Sequence, residues 1–135
     1  MIFICPKISI VEKSGGNKVK WVEYKNERIL SEDYRGLSGE KMHEVLNSAE
    51  KEYVKLTEPV LVMHDFTDCV VNTEFIEEFR VLAKQYTSMV KKSACIGITG
   101  AKKILAKGIL SYIGRSDGVR FFDTVKDALE YLTAD

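Results

Sequence analysis

Proline is almost missing from this chain: among 135 residues only Pro6 and Pro59 occur. No Pro/Gly/Ser-rich linker, internal repeat or low-complexity stretch accompanies them, so nothing divides the sequence, and residues 1–135 read as a single domain. Cysteine is scarce as well. Cys5, Cys69 and Cys95 are odd in number and widely spaced, which excludes a paired disulfide framework and a CxxC metal pair and predicts reduced thiols in a cytoplasmic protein. The two histidines, His43 and His64, lack the spacing of metal ligands, so no structural metal is expected. An excess of one charge is lacking too. Lys plus Arg and Asp plus Glu number 20 each, without the basic surplus by which nucleic-acid binders gain affinity through counterion release. No apolar run approaches the ~20 residues that span a bilayer, so no integral membrane segment is expected. The opening Met1-Ile2-Phe3-Ile4-Cys5-Pro6 is apolar but short and lacks a basic leader, unlike a signal peptide.

What is present is globular. Hydrophobic residues make up 45% and charged residues 30%, far from the disordered class. A chain of this length buries roughly two-thirds of its unfolded surface, enough for one core.

The first third reads as strands. Ile8 to Val11 is β-rich, and Ser14-Gly15-Gly16-Asn17 carries hairpin-loop glycines. Lys18 to Tyr24 alternates, with Val19 and Trp21 on one face and Val22 and Tyr24 on the other. Lys25-Asn26-Glu27 turns the chain into a third strand, about Arg28 to Tyr34, and the short loops predict an antiparallel meander. After Gly36 the period changes. Met42, Val45, Leu46, Ala49 and Tyr53 fall at helical spacing over about Gly39 to Leu56. Val60 to Met63 is a continuous apolar run, as in a strand covered on both faces. A helix follows over about Thr73 to Val90, then a strand over Ala94 to Thr99 and a third helix over Ala101 to Ile113, with Gly114 as its C-cap. Val119 to Phe122 makes a last strand, and Thr124-x-x-Asp127 opens a final helix. The order predicts an α/β fold: one mixed sheet of about six strands, the first three antiparallel and the rest parallel, with four helices. Val60–Met63 and Ala94–Thr99 are expected as adjacent central strands.

Chemical motifs are sparse. Gly97-Ile98-Thr99-Gly100-Ala101-Lys102-Lys103 lies between a strand and a helix but matches neither GxxxxGK[ST] nor GxGxxG. Two readings stand: Gly100 ends a strand while two lysines solvate a helix end, or Thr99, Gly100, Lys102 and Lys103 form a weak anion site. His64 beside Asp65 at a strand end has the form of a general base with an orienting partner, or of a polar residue where the strand leaves the core. His43 has no carboxylate in an obvious orienting position. Cys69 and Cys95 read as buried or partly buried thiols, the latter inert. The run from Lys84 to Lys103 reads as solvated surface rather than an RNA path.

The segment from Pro59 onward resembles the SpoIIAA-like group of STAS domains. The residues carrying the likeness are Val60-Leu61-Val62-Met63-His64-Asp65-Phe66-Thr67, Asn72-Thr73-Glu74-Phe75, Ile96-Gly97-Ile98-Thr99-Gly100-Ala101-Lys102-Lys103-Ile104-Leu105 and Val119-Arg120-Phe121-Phe122-Asp123-Thr124. The resemblance implies a STAS-like fold and a non-enzymatic binding or regulatory module without a cofactor. In the antagonist branch a serine at the corresponding helix start is phosphorylated; here no Asp-Ser-Ser-Gly is present, and Thr73 is the one hydroxyl there. The expected surface is the turn after the fourth strand, with Asp65, Thr67, Asp68, Asn72 and Thr73, joined by Thr99, Gly100, Lys102 and Lys103. A protein partner engaged there is the first expectation. A carrier of a small apolar ligand or lipid, with a cavity between the third helix and the sheet, is the second. The third is an enzyme using His64 and Asp65.

Overall fold

The computed structural model describes residues 9–14, 18–100, 102–104, 106–108 and 118–134. Six strands, β1 (Ser9–Ser14), β2 (Val19–Tyr24), β3 (Glu27–Asp33), β4 (Val60–Asp65), β5 (Val90–Ile96) and β6 (Val119–Phe122), form one sheet in sequential order. β1, β2 and β3 pair antiparallel, and β3 through β6 pair parallel. Lys25 and Asn26 both take positive φ (50° and 65°) in the β2–β3 turn. That backbone matches the twist of a two-residue hairpin.

Helix α1 (Glu40–Val54) connects β3 to β4, and α2 (Thr73–Gln85) connects β4 to β5. Residues 102–104 and 106–108 are helical between β5 and β6, and α3 (Val125–Thr133) closes the fold. Period-2 alternation splits the sheet into two faces. Val19, Trp21, Leu30, Val62, Phe66 and Cys95 share a core with Met42, Val45, Leu46 and Ala49 of α1 and Phe75 and Leu82 of α2. Val22, Ile29, Leu61, Met63, Ala94 and Ile96 face the other way and are covered by Ala128, Leu129 and Leu132 of α3. With a layer on each face, β4 is apolar on both, as its continuous run required. Capping is as the sequence implied: Thr124 Oγ1 accepts from the Asp127 N–H at 3.2 Å.

Several boundaries differ. β1 runs on to Ser14, into what reads as loop. α2 ends at Gln85, and after a 3₁₀ turn (Thr87–Met89) β5 starts at Val90 and ends at Ile96. Lys91 and Lys92 disguise that start, yet only the inner half of β5, Ser93 to Ile96, is buried on both faces. Ile104, expected on an inward apolar stripe, is 77% exposed; Lys102 and Ala106 are the half-buried positions there. Leu105, Ile109, Tyr112, Ile113 and Gly114 lie outside the described residues, as do Cys5 and the glycines of the first hairpin.

Candidate functional site

Parallel strands β3, β4 and β5 end on the same side, and the segments leaving them converge there. Asp65, buried at the end of β4, accepts from the Thr67 N–H (3.0 Å) and Thr67 Oγ1 (2.6 Å), which folds the turn back on itself. Arg35 holds Asp33 through two bonds of 2.9 and 2.8 Å and lies 3.9 Å from Asp65. Burial pushes the Asp33 carboxyl up, but the Arg35 hydrogen bonds and charge outweigh it and hold the group below its ordinary range. Asn72 caps α2, its side chain accepting from the Phe75 N–H at 2.8 Å, so Asn72 rather than Thr73 is the cap. Thr73 and Asp68 are exposed, as are Thr99, Gly100 and Lys103.

The two turns do lie side by side. Gly97 sits at φ +77°, and a Cβ there would come 2.5 Å from Thr67 Oγ1. Only glycine permits that approach. Lys102 Nζ reaches across to donate to the Cys69 carbonyl. The structure thus joins the turn after β4 to the turn after β5 directly, while the Asp65 carboxylate, the Thr67 hydroxyl and the Asn72 amide oxygen are already used inside their own turns.

A second constellation lies deeper, on the face covered by α1 and α2. Glu32 of β3, 1% exposed, accepts from Tyr34 Oη and Tyr53 Oη, both at 2.7 Å. His64 stands beside it in the β4 register, with Nδ1 3.1 Å from Glu32 Oε1, off the line of a hydrogen bond, and Nε2 3.1 Å from Ser93 Oγ. Burial alone would raise the Glu32 pKa. The neighbouring His64 and the two tyrosine hydroxyls that donate to the carboxylate prevail and hold it below its ordinary value. Burial first, then the Glu32 charge, pushes Tyr34 and Tyr53 well up, and the same pair of causes raises Cys95 to about 12. Burial also raises the Cys69 thiol. Neither cysteine has the depressed pKa of a nucleophile.

Sequence reasoning missed this network. The signal was available: Glu32 shares a face with Leu30, so a carboxylate stands at an inward position of a half-buried strand. It also missed the partner of His43, whose Nδ1 lies 2.7 Å from Glu78 Oε2 of α2; Glu74 and Glu78, one helical turn apart, lie on the same side. His64 lies against Glu32 and Ser93, not against the neighbouring Asp65, whose side chain points to the opposite face of the strand and is held by Thr67.

Ser93, His64 and Glu32 follow the order of an acyl-transfer relay. The Ser93 N–H, however, is committed to the Gly118 carbonyl at 2.9 Å, so it cannot serve an oxyanion, and Ser93 sits within a strand rather than on an exposed turn.

Two cavities adjoin this network. The first, about 70 Å³, is lined by Tyr53, His64, Phe79, Leu82, Tyr86 and Ser93, among others. The second, about 80 Å³, lies between α2 and the 102–108 segment and is lined by Phe66, Phe75, Phe79, Ile98, Ala106 and Val119, with Cys69 and Lys102 beneath the two turns. Phe79, Cys95 and Val119 border both. Among the described residues, no cluster of three or more His, Cys, Asp or Glu is placed to hold a metal ion, and no helix is long and apolar enough to cross a membrane.

Among solved structures, the chain is similar to an uncharacterised protein of the DUF3478 family with a SpoIIAA-like fold from Shewanella loihica PV-4. The two align over 98% of each chain at a TM-score of 0.65 and 16% identity. No family model and no curated protein matches the sequence. The fold is therefore SpoIIAA-like, as the resemblance in the sequence implied.

Proposed function

We propose that this STAS-like domain is a non-enzymatic module that binds a small, largely apolar molecule between α2, the 102–108 segment and the sheet. The observation that carries this reading is the pair of adjoining cavities. Their combined size is comparable to the ~150 Å³ apolar cavity that takes up a benzene-sized guest. Protein interiors are otherwise close-packed, and concave apolar sites with a few convergent polar groups are the usual form of a ligand site. His64 and Ser93 supply the polar groups at the inner end of the first cavity. The second cavity, beneath the turns that follow β4 and β5, supports the same reading, since open α/β sheets bind ligands outside the carboxyl ends of their strands. Native mass spectrometry of protein purified from the organism that encodes it tests this directly. A bound organic molecule released on denaturation is the expected result. A bare chain that also fails to take up small aromatic compounds would refute the reading.

A protein partner at the 65–73 turn is the second reading, favoured by one observation. Val70 is 63% exposed beside the exposed Asp68, with Thr73 at the head of α2. An apolar side chain rimmed by polar groups suits a docking contact. Thr73→Glu and Asp68→Lys should leave the fold intact and alter capture of such a partner.

A further inference from the structure

We infer that the ligand of the second cavity is a small organic acid, its carboxylate held by Lys102 at the mouth and its apolar body between Phe75, Phe79 and Val119. This rests on the ligand-binding reading above and names the chemical class. Lys102 is the only charged side chain lining that cavity among the described residues. It is half-buried and anchored by one hydrogen bond to the Cys69 carbonyl. An ammonium has three donors and no acceptor, so two N–H groups remain for an incoming oxyanion.

Charge and size narrow the guest further. A cationic guest would be repelled by Lys102. A neutral hydrocarbon would displace water from a half-buried ammonium and return no hydrogen bond. A carboxylate does the reverse, forming a charge-assisted bond at the edge of an apolar wall. The nearby acids do not compete strongly for Lys102. Asp65 is engaged by Thr67 and lies near Arg35, and Asp68 is exposed to screening solvent. The two cavities, about 70 and 80 Å³ and both bordered by Phe79, Cys95 and Val119, together fit a ring or a short branched chain rather than a long acyl chain.

The test compares two probes of equal shape, phenylacetate and phenylacetamide, by NMR titration of the intact protein followed at the methyl groups of Val71, Ile98, Ala106 and Val119. Phenylacetate should bind about tenfold more tightly, with a preference that shrinks as salt rises. Lys102→Met should abolish the preference. Lys102→Arg and the neighbouring Lys103→Met should retain it. Equal affinities for the two probes, or a preference that survives Lys102→Met, would overturn the inference and leave the cavity reading intact. If neither probe shifts these methyls at millimolar concentration, the cavity reading itself fails.

Discussion

Replacing Glu32 with alanine should be among the most damaging single changes in the protein. The substitution leaves two buried hydroxyls without their acceptor, Tyr34 Oη and Tyr53 Oη, each 2.7 Å from the carboxylate, and removes the group that His64 Nδ1 faces at 3.1 Å. An unsatisfied buried polar group costs about 1–3 kcal/mol, and two buried hydroxyls are stranded at once. A total of about 3–5 kcal/mol is therefore expected. Typical stabilities of about 0.05–0.15 kcal/mol per residue make that a large fraction of the whole. Urea unfolding followed by fluorescence suits the measurement. The single tryptophan, Trp21, is buried and donates to Glu52 at 2.9 Å, so its emission reports the same core. The midpoint should fall by about 2 M with an unchanged slope. Combining Glu32→Ala with Tyr53→Phe should cost less than the two separately, with a coupling above roughly 1 kcal/mol. A loss below about 1 kcal/mol for Glu32→Ala would refute the network as described. By contrast, replacing the group together (Glu32→Met, Tyr34→Phe, Tyr53→Phe, His64→Leu and Ser93→Ala) should leave stability nearly unchanged, because removing all partners of a buried polar set is far cheaper than removing one.

Glu32 ionises more readily in the folded chain than in the unfolded one. Its contribution is therefore present above the ordinary carboxylate range and is lost as pH falls through its depressed folded value; Glu32→Gln should flatten the acid limb of stability against pH. Tyr34 and Tyr53 ionise less readily when folded, so their contribution holds below the ordinary tyrosine value of about 10 and is lost as pH rises through their raised folded values. Tyr34→Phe should weaken the alkaline limb in the same assay. Gly97→Ala should cost more than about 1 kcal/mol, read by thermal melting, since it combines a positive φ with a clash against Thr67; a neutral effect would show that the two turns are not locked together. Asn72→Ala should cost about 0.5–2 kcal/mol through loss of the α2 cap, whereas Thr73→Ala should be nearly silent. Native protein should react slowly with thiol reagents at Cys69 and Cys95, both buried with raised pKa values; rapid modification of either at neutral pH would contradict the packing.

Much of the fold was legible because period carries it. The alternation from Val19 to Tyr24 specified two faces, and the apolar run at Val60 specified a strand covered on both. Boundaries were less legible where charge interrupts pattern. Lys91 and Lys92 sit on the outer half of β5, so the strand was expected to begin at its buried half. Ile104 shows the opposite error: an apolar residue at helical spacing was assigned inward, although nothing local distinguishes an inward isoleucine from an exposed one. For the site, the proximity of the two turns followed from parallel neighbouring strands. The use of Asp65, Thr67 and Asn72 inside those turns did not, because whether a polar side chain closes its own loop depends on backbone angles that sequence leaves open. Glu32, Tyr34, Tyr53, His64 and Ser93 come from β3 and the residue after it, from α1, β4 and β5. Beyond the i, i+2 step from Glu32 to Tyr34, no spacing along the chain joins them; register pairs Glu32 with His64 across β3 and β4.

The central claim is that the space between α2, the 102–108 segment and the sheet receives a ligand, and filling it tests that claim most directly. Ala106→Phe places a ring in the second cavity beside Phe75 and Val119. Wild-type protein titrated with small aromatic compounds should show saturable NMR shifts confined to the methyls of Val71, Ile98, Ala106 and Val119. The Ala106→Phe variant, folded by far-UV circular dichroism, should show none at Val71, Ile98 and Val119. Shifts that persist in the variant, or that never arise in the wild type, would contradict the account.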